Sequence, residues 1–106
     1  MSSAGYFFYL CSITVKPNDE EQYEDFSEFD MHLHLVQEEL EKKEPSREPF
    51  LETIFFLPDW VEMNFKFKSS YKDGDEDIYM YIDLVKEEIE SELNVTIVDF
   101  GIEGIV

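Results

Sequence analysis

Apolar positions along this chain switch between two spacings, and the switches mark out its elements. Gly5–Val15 (GYFFYLCSITV) is rich in aromatic and β-branched residues, which predicts a strand covered at least partly on both sides. Phe7, Tyr9, Cys11, Ile13 and Val15 alternate there with Tyr6, Phe8, Leu10, Ser12 and Thr14, so each face carries large apolar groups. Lys16-Pro17 ends the strand, because proline brings no N–H to a ladder. The step then lengthens. Tyr23, Phe26, Phe29, Leu33, Val36 and Leu40 recur at intervals of three and four, the stripe of an amphipathic helix. Asn18 followed by Glu21 makes a capping-box-like start and Pro45 a stop, so the expected helix covers 18–44. Within it Met31–Val36 (MHLHLV) also alternates like a strand, and a break near Asp30 is compatible with so long a segment.

Phe50–Leu57 and Trp60–Lys68 read as two strands joined at Pro58-Asp59, a hairpin. In the second, Val61, Met63, Phe65 and Phe67 alternate with Glu62, Asn64, Lys66 and Lys68, so one face is buried and the other wet or partner-facing. Asp73-Gly74 is a turn. Over Asp75–Leu93 the spacing of Ile78, Ile82, Val85, Ile89 and Leu93 predicts a second helix, although Ile78–Ile82 (IYMYI) on its own has strong strand propensity. Asn94 ends it, Val95–Phe100 (VTIVDF) is a last strand, and the apolar tail Gly101–Val106 extends or caps the sheet edge.

The order β-α-β-β-α-β is an α+β arrangement. It resembles ferredoxin-like folds at the level of topology: a four-stranded antiparallel sheet with both helices on one face. At 106 residues the chain is expected to form a single domain, 1–106, with one core. A topology shared by so many activities does not name one.

Charge changes the picture. The chain carries −18 with 43% apolar and 16% aromatic residues, too apolar for a disordered acidic tail. Segment 18–44 holds eleven acids against Lys42 and Lys43, or −9, and segment 73–93 holds nine against Lys86, or −8. Everything else sums to −1. In the expected topology these segments lie side by side and their polar sides form one anionic layer. Neighbouring acids such as Glu24 and Glu28, or Glu88 and Glu92, repel by a few tenths of a kcal/mol, roughly, at i,i+4 spacing, and few lysines relieve them. Nucleic acid and anionic membranes are excluded as direct partners, since phosphate binding needs surplus Lys and Arg. The same charge argues against an RNA-binding aromatic platform on the sheet. A lone cysteine, Cys11, points to a reducing compartment, and no apolar run has the length of a membrane span, so a cytoplasmic location is expected.

Candidate chemistry is sparse. His32 and His34 are two apart and so diverge on a helix; partly exposed helical histidines are the simpler reading, and no metal is assigned. Cys11 lies mid-strand as a buried thiol rather than a nucleophile. Asp73–Asp77 (DGDED) lacks the spacing of a calcium loop, and no phosphate-cradling glycine loop or nucleophile elbow is present. The expectation is a non-enzyme without a cofactor.

The leading expectation is an acidic binding protein that inhibits a basic partner, a nuclease toxin or nucleic-acid-binding enzyme, by presenting carboxylates where nucleic acid presents phosphates. Immunity proteins and phage-encoded nucleic-acid mimics share this charge logic, without a shared motif. Glu20, Glu21, Glu24, Asp25, Glu28, Glu87, Glu88 and Glu90 are the expected contact acids, with Trp60, Tyr23 and Tyr79 as aromatic anchors. The alternative is a small ligand-binding or regulatory domain that dimerises through its sheet as a homodimer.

Overall fold

A computed structural model describes residues 8–19, 26–68 and 78–105. In order they form β1 (Phe8–Pro17), α1 (Phe26–Lys43), a short 3₁₀ turn (Pro45–Arg47), β2 (Phe50–Phe56), β3 (Val61–Lys68), α2 (Ile78–Glu92) and β4 (Val95–Ile105). The strands make one sheet in the order β2-β3-β1-β4 with every neighbouring pair antiparallel. α1 therefore carries the chain from β1 over β3 to β2, and α2 carries it from β3 over β1 to β4, the split βαβ arrangement.

One face of the sheet is covered. Cys11, Ile13 and Val15 from β1 and Val61, Met63, Phe65 and Phe67 from β3 are fully buried beneath Phe29, Leu33, Val36 and Leu40 of α1 and Ile78, Ile82, Val85 and Ile89 of α2. The two central strands thus supply a continuous period-two row, and the helices lay their period-3.6 stripes across it. α1 is unbroken through Met31–Val36, because its apolar members there, Leu33 and Val36, share the stripe with Phe29 and Leu40. Ile78–Ile82 is helical for the same reason: burial of Ile78 and Ile82 in line with Val85 and Ile89 overrides local strand propensity.

β4 is longer than the expected Val95–Phe100. It runs on to Ile105 because β1 continues past Ile13 toward Phe8, and Gly101–Ile105 pair with Ser12–Phe8. Asn18, the expected cap of the first helix, also holds the far end of the sheet together among the described residues. Its side chain donates to Asn94 Oδ1 (3.1 Å) and accepts from Thr96 Oγ1 (2.7 Å), while its N–H donates to Asn94 O (3.0 Å), tying the end of β1 to the α2–β4 turn. The expected start of the first helix (20–25), the Asp73-Gly74 turn and the acids of 73–77 lie outside the described residues.

Cys11 is sealed in the core, and burial pushes its thiol up to about 12, with Lys86 pulling slightly the other way. The folded chain keeps a proton that the unfolded chain loses above its ordinary value of 9.0, so this residue makes stability fall as pH rises from there toward 12. Denaturant melts at stepped pH should show that fall, shallower in Cys11→Ala, and the native thiol should not react with a thiol reagent until the chain unfolds. Leu33→Ala, which empties a fully buried position where α1 meets the sheet, should cost about 2–5 kcal/mol in the same melts.

Candidate functional site: the acidic helix layer

The helices lie next to one another and run antiparallel. His32, early in α1, meets Glu92 at the end of α2 (Nδ1–Oε1 3.3 Å), and Lys43, at the end of α1, pairs with Glu88. Between these contacts the seam is stitched by charge. His32 Nε2 is also 3.9 Å from Glu28 Oε1, so its imidazole lies between carboxylates of both helices. The hydrogen bond with Glu88 holds the Lys43 ammonium above its ordinary value, burial opposes this, and attraction to Glu88, Glu39 and Glu87 adds to it.

Outside the seam the layer sets acids beside the exposed apolar side chains Met31, Leu35, Tyr79 and Met80. Glu28, Glu38 and Glu41 of α1 and Asp83, Glu87 and Glu90 of α2 are exposed. The basic groups on these helices are engaged: Lys42 with Glu39 (3.3 Å), Lys43 with Glu88, and Lys86 over the ring of Phe100 (4.4 Å) on the β4 side. The described parts of the helices hold ten acids (Glu28, Asp30, Glu38, Glu39, Glu41, Asp83, Glu87, Glu88, Glu90, Glu92) against three lysines, net −7. At 1.5 Å per residue the longer helix spans about 27 Å, so the two helices side by side together carry roughly one net negative charge per 4 Å of layer length.

The expected contact residues do not share one fate. Glu28, Glu87 and Glu90 stand on the exposed layer. Glu88 does not: only 8% exposed, it turns inward to Lys43 and belongs to the seam between the helices. A helix exposes only part of its circumference once one stripe packs on a sheet and its flank on a second helix, and Glu88 falls on that flank. Tyr79 is exposed at the start of α2. Trp60 is half-exposed in the β2–β3 turn, where Leu57 N–H donates to its carbonyl (2.9 Å), so it is off the helix layer. Glu20, Glu21, Glu24, Asp25 and Tyr23 lie outside the described residues.

His34 Nδ1 lies against Asp30 O (2.9 Å) one turn back, and among the described residues no cluster of three or more ligating side chains occurs. Sequence reading missed Arg47. Buried in the α1–β2 connection, it donates to Lys68 O at the end of β3 (3.0 Å) and lies over the ring of Tyr81 (5.2 Å). No local signal announces it, because a single arginine in a Pro-flanked turn looks solvent-borne. Tyr81 is 4% exposed, and its hydroxyl finds no hydrogen-bond partner among the described residues; burial pushes its pKa upward.

No protein-family model matches the chain, and no curated protein matches it. Solved structures do. A de novo designed protein with a ferredoxin fold, LFR1 1, superposes with a TM-score of 0.57 at 22% identity, covering 91% of this chain and 84% of its own. The designed protein Foldit4 gives 0.53 at 16% identity over 93% and 97%, and the designed protein Ferredog-Diesel 0.50 at 16% over 97% and 89%. At such identities the likeness concerns the fold alone, and it agrees with the β2-β3-β1-β4 sheet and two helices: this is an α+β ferredoxin-like fold. Among the described residues no helix is long and apolar enough to cross a membrane.

Two substitutions check this geometry. Glu88→Lys, which sets like charges together in the seam, should lower the melting temperature, whereas Glu90→Lys two residues on should leave it nearly unchanged. Tyr81→Phe, which removes a buried hydroxyl without a partner, should stabilise the fold by about 1 kcal/mol in denaturant titrations.

Proposed function

We propose that this protein binds and neutralises a basic partner, a nuclease or other nucleic-acid-binding protein, by offering the α1–α2 layer in place of a nucleic-acid backbone. The observation that carries the reading is the arrangement of charge. Two antiparallel helices lie on the same side of one sheet, six acids (Glu28, Glu38, Glu41, Asp83, Glu87, Glu90) stand exposed on them beside the apolar Met31, Leu35 and Met80, and their lysines are held at the seam, by Glu39 or by Phe100. A solvated surface serving only solubility mixes both signs. Here acids repeat at helical spacing with little relief, which costs stability through self-repulsion and is best explained by use.

Mechanistically, the layer's field would draw a cationic groove in at long range, so association would be fast at low salt and slow as salt screens it. Exposed Tyr79 sits beside the layer and would supply an apolar anchor once water is expelled. The carboxylates need no catalytic role in this scheme. They compete with phosphates for the same Lys and Arg side chains of the target.

The test is recovery of the partner from the native host, followed by association kinetics in a NaCl series. A basic partner is expected, with an association rate that falls steeply with salt. Glu87→Lys combined with Glu90→Lys should slow association about tenfold at low salt while changing dissociation little. An acidic partner, or a complex indifferent to salt, would refute the proposal.

A further inference from the structure

The sheet's second face is not covered by the helices, and its composition differs from the rest of the molecule. Pairing register places its side chains in rows across the strands. One row is Phe50–Lys66–Leu10–Glu103, the next Thr53–Asn64–Ser12–Gly101, and the third Phe55–Glu62–Thr14–Asp99. Lys68 and Phe8 lie beyond the first row, and Lys16 and Thr96 beyond the third. The charged members of these rows and their ends are Lys16, Lys66 and Lys68 against Glu62, Asp99 and Glu103, with Glu52 exposed at the β2 bulge and Lys68 paired with Glu48 (2.6 Å), so the face is close to neutral on a chain of −18. Phe50 and Phe55 are 56% and 52% exposed here.

We infer that this face is the interface of a homodimer in which two copies stack sheet against sheet about a two-fold axis lying across the strands, along the Thr53–Asn64–Ser12–Gly101 row. That axis exchanges the first row with the third. Lys66 of each copy then meets Glu62 of its partner, Phe50 meets Phe55, and Leu10 meets Thr14. Only Glu103 and Asp99, at the β4 rim, meet with like sign. A two-fold along the strands would instead set the aromatics of β2 on Glu103 and Asp99 of β4, burying acids against rings without a counter-charge. The face is self-complementary about one axis and not about the other, as an isologous contact requires.

Three further features fit. The middle row, which meets its own copy, is already hydrogen-bonded within the chain: Ser12 Oγ donates to Asn64 Oδ1 (2.6 Å) and Asn64 Nδ2 to Thr53 Oγ1 (2.7 Å). Burying this row therefore leaves Ser12 Oγ, Asn64 Oδ1, Asn64 Nδ2 and Thr53 Oγ1 each with a partner inside its own chain. Gly101 leaves open space at the end of that row, where an added Cβ would touch nothing. Both sheet edges are guarded against the competing mode, edge-to-edge pairing. β2 has a register shift at Glu52, and Gln37 Oε1 of α1 accepts from Leu51 N–H (2.7 Å); β4 has a register shift at Val98, and the Oδ1 of Asp99 next to it accepts from Phe100 N–H (2.9 Å).

Size and charge permit the assembly. Four strands about 4.8 Å apart and eight residues long at about 3.3 Å each present roughly 500 Å² in projection, the low end of a specific interface once side-chain relief is added. With successive layers about 10 Å apart, the two acidic helix layers end up on opposite outer surfaces, about 30 Å from each other and several times the ~8 Å screening length. Self-repulsion is thereby kept out of the contact, and the dimer carries two anionic layers facing away from one another.

Sedimentation equilibrium of the whole chain across a wide concentration range at physiological salt tests this, with far-UV circular dichroism to confirm that each variant is folded. The wild type should form a dimer at high concentration. Lys66→Glu and Glu62→Lys should each weaken dimerisation about tenfold or more, because the symmetry repeats each like-charge contact, and the double variant should regain wild-type association. A wild type that stays monomeric, a dimer indifferent to the single reversals, or a double variant without rescue would overturn the inference. None of these outcomes depends on the basic partner of the helix layer.

Discussion

Everything in this molecule depends on one sheet having two helices to cover it. Cys11, Ile13 and Val15 of β1 and Val61, Met63, Phe65 and Phe67 of β3 form an apolar surface that cannot stand in water, and the stripes of α1 and α2 close it. At about 25 cal/mol per Å² of apolar area this contact is the dominant favourable term, and it fixes the roll of each helix about its axis. Once Leu33, Val36 and Leu40 face inward on one helix and Ile82, Val85 and Ile89 on the other, the acids between them can only face outward or into the seam.

The electrostatics follow from that packing. A chain of −18 pushes against its own compaction, and the fold answers by separating kinds of surface. Cations near the helices are held close to carboxylates or aromatic rings: Lys43 at Glu88, Lys42 at Glu39, Lys86 over Phe100. What they do not neutralise is spread along two exposed helix surfaces. On the far side of the sheet positive and negative groups come close to balance around a hydrogen-bonded centre. The molecule thus has one surface rich in exposed acids and one close to neutral.

Likeness to designed proteins of the same fold is instructive for what it leaves out. A designed ferredoxin-like protein needs only a core, two amphipathic helices and guarded edges. This chain has those, and in addition carries features that stability does not call for: acids repeated at i,i+4, large aromatics on the open face of β2, and a tyrosine whose buried hydroxyl lacks a partner among the described residues. Each costs something, and the first two lie where another molecule could reach them.

Much of the fold was legible because secondary structure is written in local periods. Steps of two through Val61–Phe67 and of three and four through Phe29–Leu40 identify a strand and a helix from the residues themselves. Even the ambiguous Ile78–Ile82 resolves once Val85 and Ile89 are read with it. Local spacing says nothing about which strand lies beside which. Only tertiary structure set Leu10, Ser12 and Thr14 of β1 beside Lys66, Asn64 and Glu62 of β3, extended β4 to Ile105 to serve the length of β1, tied Asn18 to Asn94 and Thr96, and turned Glu88 from the outer layer into the seam. The physical reason is that a period gives the side of an element on which a residue sits, whereas its neighbours are set by crossovers that join positions dozens of residues apart.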